Sequence, residues 1–193
     1  MMKLSLDLLV RTALELQNRE GLDAVTTRRL AEQLKVTSPA LYRHVPSKEA
    51  LFGHMVAFIL AEALAAMRPC DDWEDWLAEY ARTFRNGLLA YRDSVRMMLV
   101  GLPSPRTSNE LVPAVFEPLT GWGFSHAEAV AAEGVLASFV LGWVGYEQNP
   151  ALRPILASMF DIDAQFERNT RMIVIGLRQE LGLPEARRPE RTA

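Results

Sequence analysis

The stretch that most restricts this chain is TTRRLAEQLKVTSPALYRHVPSK, residues 26–48. Two short helices that cross steeply need small or aliphatic residues at fixed places, and this segment supplies them. Thr26-Thr27 opens the first helix, with Leu30, Ala31 and Leu34 inward and Ala31 small enough to let a second helix approach. Val36 plugs the turn. Ser38-Pro39 opens the second, very short helix, a cap residue followed by proline in the first helical position. Leu41 and Val45 hold that helix from beneath. What remains outward is Ser38, Ala40, Tyr42, Arg43 and His44, a polar and aromatic set with little reason to be buried. A helix of this kind lies in a DNA major groove with its N-terminal residues toward base edges. Lys35 stands at the turn position where a left-handed backbone favours glycine, at a tolerated cost of about 1 kcal/mol.

Charge follows the same division. Residues 1–48 carry eight Lys/Arg against five Asp/Glu, and the remainder carries thirteen against nineteen, within a net charge of −3. A basic head followed by an acidic body fits a protein that meets phosphates at one end only.

No stretch alternates apolar and polar residues long enough for a strand, so the predicted fold class is all-α. A first helix runs from about Ser5 to a C-cap at Gly21. Another starts at Ser47 and continues through Leu51, Met55, Phe58, Ile59 and Ala63 toward Met67. Asp72 to Ala90 carries an apolar stripe of Trp73, Trp76, Leu77, Tyr80, Phe84 and Leu88. Residues 101–109 read as a loop, followed by a helix from about Glu110 to Thr120. Ser125 and Glu128 form a capping box that opens a helix to about Gln148. The last helix starts near Asp163, places Phe166, Thr170, Ile173, Leu177 and Leu181 on one face, and stops at Gly182 and Pro184. The predicted organisation is a helix-turn-helix DNA-binding domain over 1–46, a bridging helix over 47–68 that touches both modules, a ligand-binding and dimerisation domain over 69–184 and a flexible tail over 185–193.

Several function classes find no support. One cysteine, Cys70, allows no disulfide within the chain and fits a reducing cytoplasm. The N-terminus lacks the pattern of a signal peptide. The most apolar stretch, residues 134–146, is too short to span a bilayer, so no membrane is expected. His44, His54 and His126 are scattered, and no glycine-rich phosphate loop or zinc-type Cys/His spacing occurs. No catalytic residue, metal ligand or cofactor can be nominated, which argues against an enzyme.

The run "ALEL … TTRRLAEQLKV … PALYRHV … K-AL", from about Ala13 to Leu51, resembles the tetracycline-repressor (TetR) family. The likeness continues more loosely through Trp73, the "FR-GLL--RD" pattern from Phe84 to Asp93 and "GFS--A" from Gly123 to Ala127, and is greatest to the tetracycline repressor's own branch. The resemblance implies a cytoplasmic, ligand-responsive regulator, a repressor that binds a palindromic double-stranded DNA operator as a homodimer and is released by a small-molecule inducer. It makes Thr27 and the start of the recognition helix phosphate-positioning. Arg28, Thr37, Ser38, Pro39, Ala40, Tyr42, Arg43 and His44 would then meet bases or backbone, with Lys48 on a phosphate. The chemistry agrees: Arg28 and Arg43 can fork onto guanine, and Pro39 and Ala40 suit a thymine methyl.

A single recognition helix reads only a few base pairs, so a symmetric pair is needed. Gly134, Ser138 and Gly142 recur at four-residue spacing and, with Phe166, Ile173 and Leu177, suit a four-helix dimer interface. Large apolar side chains are concentrated mid-chain, and the resemblance implies an inducer there, with Leu64, Tyr80, Phe84, Leu88, Met97, Met98, Leu102, Phe116, Phe139 and Trp143 as candidate lining. Arg96, Arg106 and Tyr80 are candidate polar anchors. By alignment, Leu64 and Met98 stand where the tetracycline repressor has histidines near its drug and metal. Neither side chain binds magnesium, so an apolar inducer is expected in place of a tetracycline–metal chelate. Two alternatives stay open: an architectural DNA-binding protein, and an activator without a releasing ligand.

Overall fold

The computed structural model describes residues 4–181, and among these every regular element is helical. The expected helix stop at Gly182 and Pro184 and the expected tail over 185–193 lie outside the described residues. Contacts divide the chain into two compact units. One comprises the chain up to Ala63 together with Asn86–Val112; the other comprises Leu64–Arg85 and the chain from Pro113 onward. The sequence reading instead draws its boundary near residue 68 and assigns 86–112 to the later domain.

The first unit begins with α1 (Leu6–Glu20), whose N-cap Ser5 Oγ accepts from the Leu8 N–H at 3.2 Å. Its inward face carries Leu9, Ala13, Leu14 and Leu16, all buried. Gly21 ends it with φ +89°, a left-handed value that an L side chain resists. Next come α2 (Thr27–Leu34), α3 (Ser38–Tyr42) and α4 (Lys48–Ala65). Ser47 opens α4 by accepting from the Ala50 N–H at 3.1 Å. After the last turn of α5 (Trp73–Leu89), the unit is completed by α6 (Ser94–Val100) and a single wide turn at Thr107–Leu111. Residues 101–109 are therefore only partly the loop that their composition suggests, because helical winding resumes at Pro105.

Two features tie the 86–112 segment into this unit. Arg92 N–H donates to Asn18 Oδ1 at 2.8 Å, Asn18 Nδ2 donates to the Ala90 carbonyl at 3.1 Å, and Gln17 Nε2 donates to the Arg92 carbonyl. Asp93, itself left-handed at φ 57°, accepts from the Leu22 N–H at 2.9 Å, and Arg96 forks onto Asp23 at 2.7 and 2.9 Å. The second feature is close backbone contact between α4 and residues 101–102. Leu102 N–H donates to the Glu49 carbonyl at 3.1 Å, and only a glycine at position 53 leaves room for the Leu102 carbonyl.

In the second unit, Asp72 caps α5 by accepting from the Asp75 N–H at 2.8 Å. Then follow α7 (Val112–Gly121), α8 (His126–Gln148), α9 (Arg153–Met159) and α10 (Ile162–Leu181). The Ser125–Glu128 capping box forms in both directions. Along α8, Ala129, Ala132, Leu136, Val140 and Val144 make one buried stripe. At 23 residues α8 is long and apolar enough in composition to cross a bilayer, a test that a core helix with a buried stripe also passes. The core also holds a buried ion pair, Arg85 with Glu147, which an exposed Asp163 joins from the surface. Arg85 forks onto Glu147 at 2.7 Å through both contacts, reaches Asp163 at 2.6 Å, and lies 4.7 Å over the Phe166 ring.

Candidate nucleic-acid interface

Local chemistry dictates the helix-turn-helix. Thr26, in extended backbone, caps α2 by accepting from the Arg29 N–H at 3.3 Å. The helix ends at Lys35, which adopts φ 54°, ψ 43°, so the left-handed turn expected from sequence is present without glycine. Val36 N–H then closes the turn on the Ala31 carbonyl at 3.0 Å. Leu30, Ala31, Leu41 and Val45 are buried, while Leu34 and Val36 are only half-buried. The start of α3 differs by one residue from the sequence reading. Thr37 is the N-cap, without a side-chain hydrogen bond, and Ser38 is already helical.

Leu41 is fully buried and Tyr42 beside it is 51% exposed, so α3 is anchored on one side and open on the other. Arg28, Thr37, Pro39, Tyr42 and Arg43 are exposed; Thr27, Ser38, Ala40, His44 and Lys48 are half-exposed. Arg28 pairs with Glu32 at 3.0 Å on the surface of α2, a weak and replaceable contact. Lys48 lies 5.3 Å over the Phe52 ring. Arg29, by contrast, is held to α1 through Glu20 at 2.6 Å, and the two arginines beside Glu20, Arg29 first and then Arg19, keep that carboxyl below its ordinary range.

The residues expected around an inducer divide between the units. In the first, Leu88 and Met97 are buried, Met98 is half-buried and Leu102 is 56% exposed. In the second, Trp76, Tyr80 and Phe84 stack in succession along α5 at 5.3 and 5.8 Å. Phe139 and Trp143 lie 5.9 Å apart, Phe116 meets His126 edge-on at 5.7 Å, and Leu64 is half-buried. Tyr80 donates to Glu133 at 3.3 Å, and burial raises the pKa of both groups. Two proposed anchors are already engaged on the surface of the first unit: Arg96 by Asp23 and Arg106 by Glu110 at 3.2 Å.

Two of the residues assigned to a dimer face pack within their own unit. Phe166 stacks on Phe139 at 5.3 Å, and Leu177 is buried; a helical stripe shows that residues are covered without showing by what. On α10 the buried neighbour is Val174, with Ile173 half-buried. Gly134, Ser138 and Gly142 are exposed, and a Cβ added at either glycine would meet nothing. Sequence reasoning missed the Arg85–Glu147–Asp163 cluster. Its signal was two charged residues, Arg85 and Glu147, falling in line with apolar stripes.

A capped helix, a left-handed turn and a short, outward-facing second helix define a helix-turn-helix DNA-binding protein. Residues 9–55 match the family described as "Bacterial regulatory proteins, tetR family", and residues 67–157 match "Tetracyclin repressor-like, C-terminal domain". The class A tetracycline repressor from transposon 1721 of Escherichia coli is 36% identical, the alignment covering 92% of each chain. A TetR variant from Acinetobacter baumannii AYE, solved with minocycline, superposes with a TM-score of 0.77 at 32% identity, covering 93% of this chain and 98% of that one. ActR of Streptomyces coelicolor, solved with actinorhodin, gives 0.77 at 25% identity, covering 94% and 100%. This chain belongs to the TetR family of bacterial transcriptional regulators, and is a DNA-binding regulator of the ligand-binding repressor type, not an enzyme.

Proposed function

We propose that this regulator is a homodimeric repressor that reads a two-fold-symmetric operator through α3 and is released by an apolar small molecule. The observation that carries the DNA reading is α3 itself, anchored by buried Leu41 with Tyr42 and Arg43 left in solvent. Arg28 and Arg43 would fork onto guanine, Pro39 and Ala40 would meet a thymine methyl, and Thr37 and Ser38 would contact bases or backbone. Thr27, Tyr42, His44 and Lys48 would hold phosphates and fix the register.

The dimer is supported by apolar residues left exposed on α8 and α10 among the described residues. Val135 and Tyr146 of α8 and Met172 and Ile175 of α10 are exposed, alongside the open positions Gly134, Ser138 and Gly142. Two such helices from each subunit would form a four-helix interface. Leu64 and Met98, neither of them a magnesium ligand, favour an apolar inducer over a tetracycline–metal chelate. An inducer that prefers a geometry with badly spaced recognition helices weakens operator binding by the same free energy, with α4, which follows the helix-turn-helix directly, as the lever.

The test is footprinting of the purified protein on the DNA flanking its own gene, with random DNA as competitor. A protected two-fold-symmetric site, weakened by about 1–3 kcal/mol in Arg43→Ala, is the expected result. Binding no tighter than to random DNA would favour an architectural protein, whose affinity would fall steeply with salt.

A further inference from the structure

A cleft of about 410 Å³ opens within the first unit, away from α3 and made by α1, α4 and the start of the winding at residue 105. Its apolar walls come from Leu6, Val10, Phe58 and Pro105, and its polar groups are Asp7, His54 and Arg106. The volume lies within the usual range for small-molecule sites, as does the combination of apolar walls with a few convergent polar groups.

The polar groups differ in availability. Asp7 is engaged by Arg11 at 3.0 Å, and the same Arg11 lies 4.7 Å over the Phe58 ring. Among the described residues Arg106 has only its exposed pair with Glu110 at 3.2 Å, the kind of contact that a better-placed anion displaces at little cost. His54 is half-buried and makes no hydrogen bond among the described residues. Burial lowers its pKa, so near neutral pH it is an uncharged ring with an N–H to donate. A purely apolar occupant would leave that ring unsatisfied. A cation would meet the Arg106 guanidinium and a carboxylate that is already paired.

We propose that this cleft is a second small-molecule site, for a compact organic carboxylate with an aromatic or aliphatic body. Arg106 and the His54 N–H take the carboxylate, and Leu6, Val10, Phe58 and Pro105 take the body. This site is independent of the inducer proposed above and stands whatever the identity of that inducer.

The experiment uses the full chain, labelled with carbon-13 at its three histidines and titrated with 1-naphthoate by NMR. The His54 signal, assigned by its loss in His54→Gln, shifts saturably while those of His44 and His126 stay in place. Arg106→Gln, a surface change that leaves the fold intact, weakens naphthoate at least fivefold, the scale of one lost charge-assisted hydrogen bond. The cation 1-naphthylmethylammonium binds at least fivefold more weakly than naphthoate. A His54 signal unmoved into the millimolar range, undiminished affinity in Arg106→Gln, or equal binding of the ammonium would each overturn the proposal.

Discussion

Gly53→Ala tests the packing of the first unit at its tightest backbone contact. An added Cβ would stand 1.6 Å from the Leu102 carbonyl oxygen and 2.8 Å from its carbonyl carbon. Real Cβ atoms stay at least 3.0 Å from such neighbours, so the 101–102 backbone must retreat by roughly 1.4 Å. That stretches the 3.1 Å bond from Leu102 N–H to the Glu49 carbonyl beyond hydrogen-bonding range. Overpacking costs about 1–3 kcal/mol, and the lost hydrogen bond costs about 1 kcal/mol more. The helix propensity of alanine offsets about 1 kcal/mol. The expected net is a destabilisation of about 1–3 kcal/mol, read as a lower urea midpoint by circular dichroism at fixed protein concentration. Gly87→Ala is the control. There the nearest atoms are the methyl groups of Ala63 and Ile59 at 3.3 and 3.4 Å, and the change should stay within about 0.5 kcal/mol of neutral. A Gly53→Ala protein as stable as the parent, or two alanines equally harmful, would refute the reasoning.

Three further changes probe other levels of the fold. Arg85→Ala strands buried Glu147 without its partner and should cost about 3–5 kcal/mol, with most of the loss recovered when both positions carry methionine; urea unfolding measures both. Lys35→Gly relieves the left-handed backbone at φ 54° and should raise stability by about 1 kcal/mol without changing operator affinity. Glu133→Gln tests a titration. Burial raises the folded-state pKa of Glu133, so the parent binds more protons folded than unfolded and loses stability as pH rises from the unfolded value through the folded one. The variant keeps an acceptor for Tyr80 and should be more stable than the parent at neutral pH, the advantage vanishing at acidic pH; a pH-independent difference would contradict this assignment.

What could be read in the sequence was written locally. Ser5, Thr26, Ser47, Asp72 and Ser125 each cap the helix that they precede, and Lys35 marks its turn by position alone. Short elements without a buried stripe left no such mark. No residue of α9 is buried, and its Pro154 sits in the first turn, where proline is tolerated. α6 is seven residues long and follows the left-handed Asp93. The outward face of α3 was legible because its side chains point away from an anchored helix, as at Tyr42 and Arg43. Which of two surfaces covers an apolar residue was not legible: Phe166 carries the same pattern whether it meets Phe139 of its own chain or a second copy.

The return of Asn86–Val112 to the N-terminal unit bears on how such regulators can be recombined. A graft that takes only residues 1–63 would separate Gln17 and Asn18 of α1 from the Arg92 and Ala90 carbonyls and the Leu22 N–H from the Asp93 carboxylate, and would remove buried Leu88 and Met97 from the hydrophobic centre of that unit. Exchange of DNA specificity between relatives is therefore best sought by replacing α3 side chains in place, or by moving both segments of the unit together. The readable head is contiguous in sequence; the body that keeps it folded is not.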